Sequence, residues 1–115
     1  MVPLWLNTWV VTNNQSSTVG VNMKKKVRAH VIVSGRVQGV FFRMETKRAA
    51  DKYGVYGWVR NKRDGTVEAI FEGDQESVNL SLEWCKEGPQ YSKVTNIDVK
   101  WNNYTGKFQG FEITY

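Results

Sequence analysis

Arg43 closes the run Gly35-Arg36-Val37-Gln38-Gly39-Val40-Phe41-Phe42-Arg43. Before the run, Val27, Ala29, Val31 and Val33 alternate with Arg28, His30, Ile32 and Ser34, the period of a strand. After it, Phe42, Thr46, Ala49, Ala50 and Tyr53 recur at helical spacing, and Gly54 stands where a C-cap is expected. A strand, a glycine turn and a helix in this order aim successive backbone amides and a helix N-terminus at one point, which suits an anion. Arg43 adds a fixed charge with forked donors at the same place, suited to a phosphate. A cation in the first helical turn opposes the helix dipole, and a bound anion would offset that cost. Taken alone, Gly35 and Gly39 could do no more than shape a turn. Gln38 and Arg43 beside them favour phosphate. The run is not a nucleotide P-loop, since no Gly-Lys-Ser/Thr follows, nor a dinucleotide fingerprint, since the glycine spacing differs.

The rest of the chain supplies the elements that must hold this turn. Val55 to Asn61 reads as a second strand, and Asp64-Gly65 is a hairpin signal. Thr66 to Glu72 reads as a third strand, with Val67, Ala69 and Phe71 on one face. Asp74 is an expected N-cap for a second helix that places Val78, Leu82 and Cys85 on one stripe, flanked by Ser81 and Trp84. Gly88-Pro89 stops that helix. Thr95, Ile97, Val99 and Trp101 alternate in a fourth strand, and Phe111, Ile113 and Tyr115 in a short last one. The order βαββαβ predicts an α+β, two-layer sandwich of the ferredoxin-like kind: a largely antiparallel sheet, two helices on one face, and a short C-terminal strand. The crossover makes the first two strands parallel, with the hairpin strand between them. Parallel strands end on the same rim, so the topology brings Arg43 and Asn61 together.

One domain is the natural reading for 115 residues with 41% hydrophobic side chains. The formal charge of +5 favours an anionic ligand without identifying it: nucleic acid or a small phosphorylated compound would both satisfy it. One cysteine, Cys85, excludes an internal disulfide, and a single histidine, His30, argues against a zinc or iron centre. This composition fits a reducing cytoplasm. No apolar run has the length of a membrane span. Residues 1–22, rich in Trp, Asn, Ser and Thr and free of charge, read as an N-terminal extension, and residues 23–115 as the domain.

Residues 35–43 match a signature of the acylphosphatase family, G-x-V-Q-G-V-x-F-R. Gly57, Trp58, Val59, Asn61, Gly65, Val67 and Gly73 match its second signature, G-W-V-x-N-x-x-x-G-x-V-x-x-x-x-x-G. From about Val27 to Tyr115 the chain therefore resembles that family. The resemblance implies hydrolysis of acyl phosphates to a carboxylate and inorganic phosphate. It implies that Arg43 binds the phosphate, that Asn61 orients a water, and that Val37, Gln38, Gly39, Val40, Phe41, Phe42 and Arg43 form the phosphate-binding loop. The variable position of the first signature, often glycine in the family, is Phe41 here.

The chemistry is coherent with so few titratable groups. An acyl phosphate releases a carboxylate whose conjugate acid has a pKa of about 4, so no general acid is needed. Phosphoryl transfer mainly requires positioning and charge stabilisation. The expectation is thus a cytoplasmic, single-domain monomer acting on a small acyl phosphate, with no metal, no cofactor, no membrane and no nucleic acid. The competing class is a non-catalytic ferredoxin-like domain that binds an anion or RNA or serves regulation. Its stacking platform would lie on the central strands, but the third strand carries Glu68 and Glu72 and a single Phe71. His30 reads as a structural or surface residue rather than a catalyst, Cys85 as core, and Trp58, Trp84 and Trp101 as core or sheet-face packing. Lys24, Lys25, Lys26, Arg60, Lys62 and Arg63 read as solvated charge, the last three able to steer an anion toward Asn61.

Overall fold

A computed structural model describes residues 25–115 of the chain. The expectation for residues 1–22 lies outside the described residues. Strand β1 (Lys26–Arg36) leads to helix α1 (Phe42–Tyr53), strand β2 (Tyr56–Asn61), strand β3 (Val67–Asp74) and helix α2 (Gln75–Glu87). Strands β4 (Lys93–Asn102) and β5 (Phe111–Ile113) follow. The sheet order is β4-β1-β3-β2-β5. β3 lies antiparallel between β1 and β2, so those two run parallel without touching, as the βαββαβ order requires. β5 extends the sheet by pairing parallel with β2, Gly57 opposite Phe111.

The core follows from the two periods. Ala29, Val31 and Val33 of β1, Val59 of β2, and Val67, Ala69 and Phe71 of β3 point to the helical layer. Phe42, Ala50, Val78, Leu82 and Cys85 meet them from α1 and α2. Trp84 tilts against Phe42 with ring centroids 5.5 Å apart, which ties the helices together directly behind the turn that carries Arg43. Cys85 is buried, and burial pushes its thiol up to about 12, so it is a neutral packing group.

The opposite sheet face departs from a simple solvated surface. The outer side of β3 presents Glu68, Ile70 and Glu72, and all three are buried. Arg28 donates to Glu72 Oε2 at 2.8 Å, and the backbone amides of Thr105 and Gly106 donate to the same carboxylate at 3.1 and 3.0 Å. The segment between β4 and β5 is thereby strapped over the sheet. Glu68 is held by Arg60 Nε at 2.7 Å and lies 2.6 Å from His30 Nε2. Arg60 is therefore ion-paired, which corrects its reading as plain solvated charge. His30 is structural as expected.

Three further details differ from expectation. Asp74 occupies the N-cap position of α2 but makes no side-chain cap; its carboxylate pairs with Lys26 Nζ at 2.8 Å instead. The last strand ends at Ile113, so Tyr115 is not part of it, and Trp101 is exposed at the end of β4 rather than packed.

Candidate active site

The turn between β1 and α1 owes its shape to glycine at two points. Gly35 sits at a break in the β1–β4 register with φ 120°, and a Cβ there would strike the backbone carbonyl of Lys93. Gly39 adopts φ 74° with open space around it, so the requirement is the left-handed backbone itself. Two residues on, Phe41 adopts φ 63°, ψ 22° at the N-cap of α1. It is the non-glycine residue with positive φ among the described residues. A left-handed side-chain-bearing residue costs roughly 1–2 kcal/mol.

The amides this turn presents are free. Among the described residues, none of the backbone N–H groups of Gly39 to Arg43 donates a hydrogen bond. The first of the helical hydrogen bonds comes only from Glu45, to Phe41 O at 3.0 Å. Unpaired donors at a helix start are an anion site in waiting.

Gln38 uses its side chain differently from its neighbours. Its Nε2 donates to the carbonyl oxygens of Lys62 and Thr66, at 2.7 and 2.8 Å. These carbonyls flank the turn that joins β2 to β3, where Lys62 N also donates to Thr66 O at 2.8 Å. Asp64 Oδ1 closes the turn by accepting from Thr66 N at 3.0 Å. Gln38 thus clamps the glycine turn to the end of β2, where Asn61 sits.

Arg43 and Asn61 line one cavity of about 320 Å³ together with Val37, Gly39, Phe41, Phe42, Met44, Ile113 and Tyr115. Arg43 is half-buried and, among the described residues, forms no ion pair, unlike Arg28, Arg48 and Arg60. Its guanidinium lies over the Tyr115 ring, 4.9 Å from the centroid. The Oδ1 of Asn61 is buried without a hydrogen-bond partner. Such an orphan acceptor costs about 1–3 kcal/mol unless something occupies it. The cavity therefore combines an unpaired guanidinium, unpaired amides and an unpaired carbonyl oxygen. That set can hold an anion and accept a hydrogen bond from a second, small molecule beside it.

Of the residues expected at the site, Val37, Gly39, Phe41, Phe42, Arg43 and Asn61 line the cavity. Gln38 turns away to brace the hairpin, and Val40 packs against the core. Met44, Ile113 and Tyr115 are cavity residues that sequence reasoning did not single out. Met44 comes from the first turn of α1, whereas the positions of Ile113 and Tyr115 depend on β5 lying beside β2, and three residues of alternation carry no signal for that pairing. Groups of three or more His, Cys, Asp or Glu able to hold a metal are absent among the described residues.

The acylphosphatase family model matches residues 29–113. The chain is 53% identical over 90 residues to an acylphosphatase of Pelotomaculum thermopropionicum, covering 78% of this chain and 98% of that protein. It is also 53% identical over 88 residues to one of Pyrobaculum calidifontis, covering 76% and 80%. Among solved structures, the acylphosphatase of Bacillus subtilis superposes with a TM-score of 0.75 at 39% identity, covering 77% of this chain and 99% of the other. That of Coxiella burnetii gives 0.75 at 34% identity, covering 79% and 95%.

Proposed function

The chain belongs to the acylphosphatase family and hydrolyses acyl phosphates, and we propose that Arg43, Asn61 and the loop Val37 to Arg43 carry that reaction. The observation that supports this is the shared cavity, in which, among the described residues, the Arg43 guanidinium has no ion pair and the Asn61 Oδ1 no hydrogen bond.

In this reading the phosphoryl oxygens take hydrogen bonds from the free amides of the loop and from the fork of Arg43. Charge that spreads over those oxygens in a loose transition state meets donors already in place. A water donates to Asn61 Oδ1, which orients it and satisfies the orphan acceptor. Asn61 is too weak a base to take the proton. The water oxygen bonds to phosphorus, the bond from phosphorus to the acyl oxygen breaks, and its electron pair leaves with the carboxylate. The water's proton passes to a phosphoryl oxygen, and the products are a carboxylate and inorganic phosphate.

The finer description is an acylphosphate phosphohydrolase that needs no metal or cofactor and acts as a monomer in the cytoplasm. A good leaving group supports the first part, and a single, buried, neutral Cys85 fits a reducing compartment.

The test is hydrolysis of benzoyl phosphate in the presence of a chelator, by the wild type and Arg43→Ala. Turnover that persists with chelator and collapses in the variant is expected. Equal turnover by a folded Arg43→Ala protein would remove Arg43 from the mechanism.

A further inference from the structure

The groups that meet a phosphoryl oxygen account for only part of the cavity wall. The remainder is apolar: Phe41, Met44, Ile113 and Tyr115. Three of these side chains stand out in solvent, Phe41 at 68% exposure, Met44 at 45% and Tyr115 at 94%. They come from three separate places: the glycine turn, the first turn of α1, and the residues after β5. Large apolar groups scattered singly over a surface need no explanation, but several around one polar pocket do.

Phe41 sharpens the point. Its backbone is left-handed, a conformation that glycine adopts without cost, yet its ring is not buried in the core. The strain is not offset by packing. Strain of this kind gathers where a side chain is needed at a ligand. Tyr115 lies with its ring over the Arg43 guanidinium at 4.9 Å, so it borders the phosphoryl subsite directly. The cavity, about 320 Å³, falls in the range of about 300–1,000 Å³ typical of small-molecule sites, which are mostly apolar with a few placed polar groups.

Resting on the reading of Arg43 and Asn61 given above, we infer that Phe41, Met44 and Tyr115 form an acyl-group subsite that selects apolar, and above all aromatic, acyl phosphates. The phosphoryl end is fixed by the amides and Arg43. The acyl end then lies against the Phe41 and Tyr115 rings and the Met44 thioether. An acetyl group is too small to cover these surfaces, whereas a phenyl ring removes them from water.

The experiment compares kcat/KM for benzoyl phosphate and acetyl phosphate in the wild type, Met44→Ser and Tyr115→Ser. The ratio of the two substrates carries the test, whatever each variant does to the rate as a whole. It is expected to fall about tenfold in each variant, the scale of hydrophobic discrimination in a pocket, through a raised KM for the benzoyl substrate. An unchanged ratio in both variants overturns the subsite. Binding supplies a readout that needs no turnover: phosphonate analogues with a methylene in place of the bridging oxygen, one phenyl and one methyl, titrated by calorimetry. Tighter binding of the phenyl form, lost in the two variants, upholds the subsite even if Arg43→Ala retains turnover and the catalytic reading fails. Equal binding of the two analogues to the wild type overturns the subsite and leaves that reading standing.

Discussion

Gln38 Nε2 donates to the carbonyl oxygen of Lys62 at 2.7 Å, one residue beyond Asn61. The same nitrogen reaches Thr66 O at 2.8 Å. One amide therefore sets the spacing between the loop that would bind phosphate and the strand end that would hold the water. Gln38→Leu keeps the size and loses both bonds. Each carbonyl retains a backbone donor, from Gly65 N at 3.2 Å and Lys62 N at 2.8 Å, so the expected stability loss is only about 1–2 kcal/mol. The expected loss in kcat/KM is larger, on the order of 10- to 100-fold, because small misplacements are costly in catalysis. Urea titration and acyl phosphate turnover measure the two. A destabilised variant with unchanged kcat/KM would make the clamp purely structural.

Asn61→Ala separates activity from stability. Among the described residues the Asn61 side chain makes no hydrogen bond, and its Oδ1 is a buried orphan. Removing it breaks nothing in the fold and removes an unsatisfied acceptor, so stability is expected to hold or rise by up to about 1 kcal/mol. Turnover is expected to fall by about 100-fold or more, on the scale of one preorganised polar group. Near-normal turnover in the folded variant would sink the role given to Asn61.

Arg43→Lys keeps the charge and gives up the planar fork. Transition-state stabilisation is expected to drop by about 2–4 kcal/mol, read as kcat/KM. The fold should be indifferent, because Arg43 holds no ion pair among the described residues. Circular dichroism and thermal unfolding of the variant check that half of the claim.

Where the physics is local, the chain can be read directly. Helix α1 spans Phe42–Tyr53 as its spacing predicts, because Thr46, Ala49 and Ala50 form one buried stripe. The parallel relation of β1 and β2, and hence the meeting of Arg43 with Asn61, follows from element order alone. Contacts made across long stretches of sequence were not legible. Glu68 and Glu72 alternate with core residues and so read as solvent-facing. They are buried because Arg28, Arg60 and the segment after β4 come to them from far along the chain. Asp74 looked like a cap because its type and place were right, but Lys26, its register partner across β1, competes for the carboxylate. Tyr115 looked like strand because it continued an alternation, yet pairing with β2 ends at Ile113.

Phe41→Gly tests the strain in the loop. Glycine adopts φ 63° without the Cβ conflict, and the exposed ring gives up little packing. The greater freedom of glycine in the unfolded chain opposes part of the gain. The net expectation is a rise of roughly 0.5–1 kcal/mol, seen as a higher urea midpoint at constant m-value. A lower midpoint would mean that the Phe41 ring contributes packing its exposure does not reveal.

Glu72 makes a pH-dependent contribution to stability. Burial pushes its carboxyl up, since the side chain is only 1% exposed, but the hydrogen bonds from Arg28, Thr105 and Gly106 outweigh that and hold it below the ordinary value of 4.5. The unfolded chain then binds the proton first as pH falls. The contribution is complete above the unfolded value and is lost as pH drops through the lower folded one. Glu72→Gln removes the charge but keeps an acceptor for part of the network. It is expected to cost about 2–3 kcal/mol at pH 7, the scale of bonds to a charged group. The gap between variant and wild type should hold from pH 7 to about pH 5 and narrow below the ordinary value of 4.5. Urea unfolding of both proteins across that range measures it. A gap that stays constant down to about pH 3 would mean that the charge on Glu72 does not hold the strap, because protonating that carboxyl would then cost the wild type no stability of its own.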